Sequence, residues 1–165
     1  DYFIYSHSGQ YGLAKNALEE KRIIDLALAK LSKNELSVYN TESTLLWMNS
    51  HLEIMKGNYE SAKNMLLDLY GRLQTTSDPK RFDGYNNLMG MANLMSGNFK
   101  KSTEYFEAVV SEENIYFQYF KGLSYKADGR IDAAEATFKY VATYNFNGLI
   151  YTMVRNKAIK EIAKG

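Results

Sequence analysis

A short glycine-centred triplet recurs through this chain and limits what it can fold into. Gly57-Asn58-Tyr59, Gly97-Asn98-Phe99 and Gly129-Arg130-Ile131 each lie between two segments of helical periodicity, and Gly9-Gln10-Tyr11 is a fourth, truncated copy. A glycine between two amphipathic runs ends one helix in the left-handed conformation, where an L side chain is strained, and starts another. On this reading Asn58 and Asn98 cap the helices that follow. Self-similarity at such a period is the mark of stacked helical hairpins.

The residues around each glycine keep a register. Gly122 is followed three residues later by Tyr125, and Ala134 four residues later by Phe138. In the middle copy the same places hold Gly90, Asn93, Ser102 and Phe106, and around Gly57 they hold Ser50, Glu53, Ala62 and Leu66. Ala14 and Leu18 follow Gly9 at matching offsets, which leaves a second helix whose partner is mostly missing or lies before residue 1. Small residues are expected where two helices cross closely, and aromatic ones where the gap beside that crossing must be filled.

Gly-x2-Tyr followed by Ala-x3-Phe resembles the tetratricopeptide repeat. The resemblance implies an all-α, right-handed α-solenoid of antiparallel helix pairs. It divides the chain into a partial repeat over 1–38, repeats over about 41–73, 82–112 and 114–144, and a capping helix over about 147–164, all in one domain. Gly97 and Gly129 are 32 residues apart, close to the family's usual 34, whereas the two preceding intervals are 40 and 48. The excess is expected in a long helix from Gln10 to Leu31, ended or bent by Ser32-Lys33-Asn34, and in a polar loop before the only proline, Pro79, with a helix starting just beyond. The closing segment from Gly148 to Lys164 is amphipathic with a basic side and is read as a terminal cap, the alternative being a membrane-surface or calmodulin-target segment.

Function is less constrained. With 20 basic and 19 acidic residues interspersed, the charge of +1 gives no footprint for nucleic acid or an anionic membrane. No apolar run is long enough to cross a bilayer, so membrane insertion is not expected. There is no cysteine, hence no thiolate nucleophile or thiolate metal site, and cytoplasm and periplasm both remain compatible. His7 and His51 lack metal or triad spacing, and His51 is expected as a solvated or groove-lining side chain. Glu112-Glu113 and Asp132 with Glu135 lie near helix starts, where carboxylates favour the helix dipole. No catalytic, cofactor-binding or metal-binding residue is assigned, and no cofactor is expected.

The resemblance does imply a concave groove on the first helix of each unit. Its residues would be Thr44, Trp47, His51 and Ile54, then Gly84, Asn87, Met91 and Leu94, then Tyr116, Tyr119, Leu123 and Lys126. Of these Trp47, His51, Asn87, Met91, Tyr116, Tyr119, Leu123 and Lys126 are the candidates for peptide binding. Trp, Tyr and Met are enriched at protein interfaces. Family members that grip a C-terminal carboxylate carry Lys, Asn and Arg at concave positions, where this chain has Trp47, His51, Tyr116 and Phe120. The expected ligand is instead an apolar or aromatic-bearing segment of another protein, bound by a scaffold or adaptor that is not itself an enzyme. The alternative is a regulatory or oligomerising arm of a larger enzyme whose catalytic part precedes Asp1, with homo-oligomers compatible with either.

Overall fold

The recurring glycines build four copies of one turn. Gly9, Gly57, Gly97 and Gly129 all adopt positive φ, between 76° and 85°. In each copy the next residue donates its N–H to the carbonyl five residues back: Gln10 to Tyr5 at 2.9 Å, Asn58 to Glu53 at 2.9 Å, Asn98 to Asn93 at 2.8 Å and Arg130 to Tyr125 at 2.8 Å. This wide bond is the helix-ending arrangement that only a left-handed residue permits. The carbonyl of that same residue then accepts the first bond of the following helix, from Ala14, Ala62, Ser102 and Ala134. One turn therefore closes one helix and opens the next.

The structure, a computed structural model, describes residues 1–111, 114–145 and 148–164. Among these it is all-helical, with nine α-helices: α1 (Tyr2–His7), α2 (Tyr11–Leu31), α3 (Glu35–Lys56), α4 (Tyr59–Leu73), α5 (Asp83–Met95), α6 (Phe99–Glu107), α7 (Ile115–Ala127), α8 (Ile131–Thr143) and α9 (Leu149–Ile162). Residues Asp1–Ser77 and Asp78–Gly165 form two compact units. In the first unit α1 packs on α2, α2 on α3 and α3 on α4. In the second, α5 packs on α6, α6 on α7, α7 on α8 and α8 on α9, while α5 and α9 also each touch α7.

The long intervals are spent on helix length. α2 runs 21 residues and α3 runs 22, against 13 each for α5, α7 and α8. Lys33, at φ 53°, ends the α2 run, and Asn34 caps α3 by accepting from the Leu36 N–H at 3.0 Å. The segment before Gly9 also forms a helix, the six-residue α1, so the truncated hairpin has a short partner within the chain.

The close crossings are real contacts. A methyl group placed on Gly122 would sit 2.6 Å from the Phe138 ring, and one on Gly90 would sit 2.9 Å from Phe106. Ser102 keeps its crossing tight and polar, donating its hydroxyl to the Gly90 carbonyl at 2.7 Å. Ala14, Ala62, Ser102 and Ala134 are all buried, and so are Leu18, Leu66, Phe106 and Phe138 four residues on. The asparagine caps expected at two turns behave differently. Asn58 and Asn98 occupy the N-cap positions but make no side-chain cap bond; Asn58 reaches back to Glu53 at 2.7 Å and Asn98 to Ser96 at 3.2 Å. Their backbone, already committed to the turn, turns the amide toward the preceding helix.

Candidate functional site

α3 carries Trp47 and His51 one helical turn apart, and α1 lies against them. His51 is fully buried, not solvated: its relative exposure is 0%. The space that a solvated ring would need is filled by Tyr2 and Phe3 of α1. Tyr2 donates its hydroxyl to the Met48 carbonyl at 2.8 Å and lies 2.8 Å from His51 Nδ1. A phenol has one hydrogen, and with that hydrogen on Met48 its oxygen is left to accept from Nδ1–H. Trp47 stacks on His51 with centroids 6.0 Å apart and planes 11° apart, Phe3 lies 5.5 Å away and His7 6.1 Å away. Burial, and secondly the charge of His7, pull the His51 pKa down to about 3, so the ring is neutral at neutral pH. Burial pushes the Tyr2 phenol far above its ordinary value. A histidine without solvent access cannot exchange protons with a dissolved molecule, and the Tyr2–His51 contact ties α1 to α3.

The second unit holds the remaining groove candidates. Asn87 and Met91 on α5 are buried, as are Tyr116 and Tyr119 on α7; Leu123 is half-buried and Lys126 is exposed. Tyr116 meets Phe117 and Phe120 edge-on, each at 5.0 Å, and Tyr119 packs on Phe120 at 5.4 Å and Phe138 at 6.0 Å. Burial raises the Tyr119 pKa, helped by the charge of Glu161. That glutamate belongs to α9 and pairs with Lys126 at 2.9 Å. Lys164 and Lys126 together hold the Glu161 carboxyl below its ordinary pKa.

The solvent-accessible part of the candidate set is therefore Trp47 in the first unit and Leu123 with Lys126 in the second. Sequence reasoning missed the two groups that organise these places, Tyr2 and Glu161. Tyr2 stands seven residues before Gly9, the place held by Ser50, Gly90 and Gly122 in the other copies, and that position points at the crossing. Asp83 was also missed. Its carboxylate accepts from the Val110 and Ser111 N–H groups at 2.8 and 2.9 Å and holds the chain after α6.

Other chemistry finds little to use. Asp132 sits in the first turn of α8 and Glu135 pairs with Lys139 at 2.6 Å, both in helix-supporting roles; Glu112-Glu113 and the first residue of the expected cap, Asn147, lie outside the described residues. A depression of about 400 Å³ on α6 is lined by Asn98, Phe99, Lys100, Lys101 and Glu104, all exposed. Among the described residues no group of three or more His, Asp or Glu could hold a metal ion, and no helix is long and apolar enough to cross a membrane. Compared with family models, curated proteins and solved structures, the chain matches none.

Proposed function

We propose that the chain is a single tetratricopeptide-like right-handed solenoid that acts by binding a segment of another protein, as a scaffold or adaptor without catalysis of its own. The observation that carries this reading is the fourfold copy of one hairpin turn, with the same wide hydrogen bond and the same buried small residue after it. Stacked hairpins of this kind expose one face of successive first helices, and such faces bind extended or helical peptides. The ligand contacts fall on Trp47 of α3, stacked on His51, in the first unit, or on Leu123 and Lys126 of α7 in the second. An apolar side chain flanked by an acidic one suits Leu123 beside Lys126.

Random-peptide display against the intact chain, followed by titration of enriched peptides, tests this. Binding should fall by about tenfold or more, about 1.4 kcal/mol, for Trp47→Ser or for Leu123→Ser with Lys126→Glu, with helicity retained. Enriched peptides that bind all three forms equally remove the groove. A second reading, a regulatory or oligomerising arm of a larger enzyme, is favoured by one observation, the exposure of Leu13, Ile24, Leu28 and Leu31 along α2.

A further inference from the structure

α2 is apolar on two sides, and only one of them is buried. Ala14, Leu18 and Ala29 enter the core of the first unit. On another side Leu13, Ile23, Ile24, Leu28 and Leu31 remain 47% to 77% exposed. At about 100° per residue, Leu13, Ala17, Glu20, Ile24, Ala27 and Leu31 fall within an arc of about 80°, spaced alternately four and three residues apart. That spacing is a coiled-coil seam three heptads long.

We infer that this seam pairs with the same seam of a second copy, α2 against α2 in antiparallel orientation. The residue order carries the choice of occupant. Read from either end the seam runs leucine, alanine, then one residue of the central pair, so an antiparallel two-fold places Leu13 opposite Leu31, Ala17 opposite Ala27 and Glu20 opposite Ile24. Every pair occurs twice, as an isologous interface demands. Alanine faces alanine on either side of the central pair, with Ala17 half-buried against its own unit, and leucine faces leucine at both ends. An unrelated helix would have no reason to find such a palindrome.

The area fits a weak dimer. Leu13, Ile24 and Leu31 in the seam, with Ile23 and Leu28 flanking it, present on the order of 500 Å², toward the top of what a monomer leaves open. Two copies would bury about 1,000 Å², the least that a specific interface needs. Glu20 sits inside the seam, opposite Ile24 of the other copy, and weakens the pair without preventing it. Glu20 is the only charged residue among the six seam positions, and Lys21 with Asp25 and Arg22 with Glu19 pair on α2 itself. The association is distinct from ligand binding on α3 and α7, and either can fail without the other.

Sedimentation equilibrium of the 165-residue chain between roughly 1 μM and 1 mM tests it. The chain should dimerise within that range, and Ile24→Glu with Leu28→Glu should be monomeric throughout with unchanged helicity. Because the chain has no cysteine, register can be read directly. An oxidised mixture of Ala17→Cys and Ala27→Cys chains should form mixed disulfide dimers, and neither alone should do so efficiently. A chain monomeric at the highest concentration overturns the inference, which is the result expected if a different protein covers the stripe. A dimer that survives the double glutamate substitution, or that cross-links Ala17→Cys to itself, overturns it equally.

Discussion

Acidification should destabilise the first unit through one residue, His51. In the unfolded chain its pKa is the ordinary 6.5; in the folded chain burial and His7 lower it to about 3. Between those values the unfolded state binds a proton that the folded state refuses. Stability is therefore complete above pH 6.5 and is lost as pH falls toward 3. Each pH unit within that window costs about 1.4 kcal/mol, so moving to about pH 5 costs about 2 kcal/mol. The groups facing the ring from α1 are Tyr2, a hydrogen-bond partner, Phe3 and His7, whose charge is the second cause of the lowered pKa. Trp47 is the only tryptophan and stacks on the ring, so its fluorescence follows this unit. In urea titrations the midpoint of the wild-type chain should fall by about 1 M between about pH 7.5 and pH 5, taking an m-value of about 2 kcal/mol/M. His51→Gln, which cannot titrate, should start less stable and move by about 1 M less. If both proteins shift equally, the buried neutral histidine is not the cause.

The remaining predictions concern packing and can be read by thermal or urea melts. Gly122→Ala should cost about 1 to 3 kcal/mol, because the new methyl would lie 2.6 Å from the Phe138 ring, and an unchanged melt would refute the close crossing. Gly71→Ala, inside α4 with open space around it, should instead gain about 0.5 to 1 kcal/mol, so the two substitutions should move the transition in opposite directions. Gly129→Ala meets no atom but would force φ 80° on an alanine, and should cost about 1 to 2 kcal/mol. Tyr2→Phe removes the hydroxyl that joins α1 to Met48 and His51 and should cost about 1 to 3 kcal/mol; retained protection of the α1 amides in hydrogen exchange would contradict that tie.

Much of the architecture was legible because its signals are local. A glycine between two amphipathic runs needs only its own φ to end a helix, so all four turns and the long α2 could be read from short stretches, while Ser32-Lys33-Asn34 left an end and a bend equally open and the structure shows an end. The side chains were harder, because burial depends on which neighbour arrives. His51 read as solvated or groove-lining from the sequence of α3 alone, and only α1 folding back through Gly9 makes it a buried ring. The asparagines after the glycines have the right identity for caps, yet their side chains bond backward. For Tyr116 and Tyr119 a signal existed and pointed the other way. Ile115 to Phe120 has a single polar residue, Gln118, and a helix apolar on all sides is one that its neighbours enclose. The loop holding Pro79 was legible as a loop, but the division of the chain at Ser77 and Asp78 depends on contacts that no short window contains.

The proposed role as a binding module rests on the first helices of the hairpins being the working surface. Hydrogen exchange with and without a display-selected peptide tests that most directly. Added protection should appear on α3 around Trp47 or on α7 around Leu123 and Lys126, and should disappear when the contacting side chain is replaced. Protection confined to the second helices α4, α6 and α8, with α3 and α7 unchanged, would contradict it.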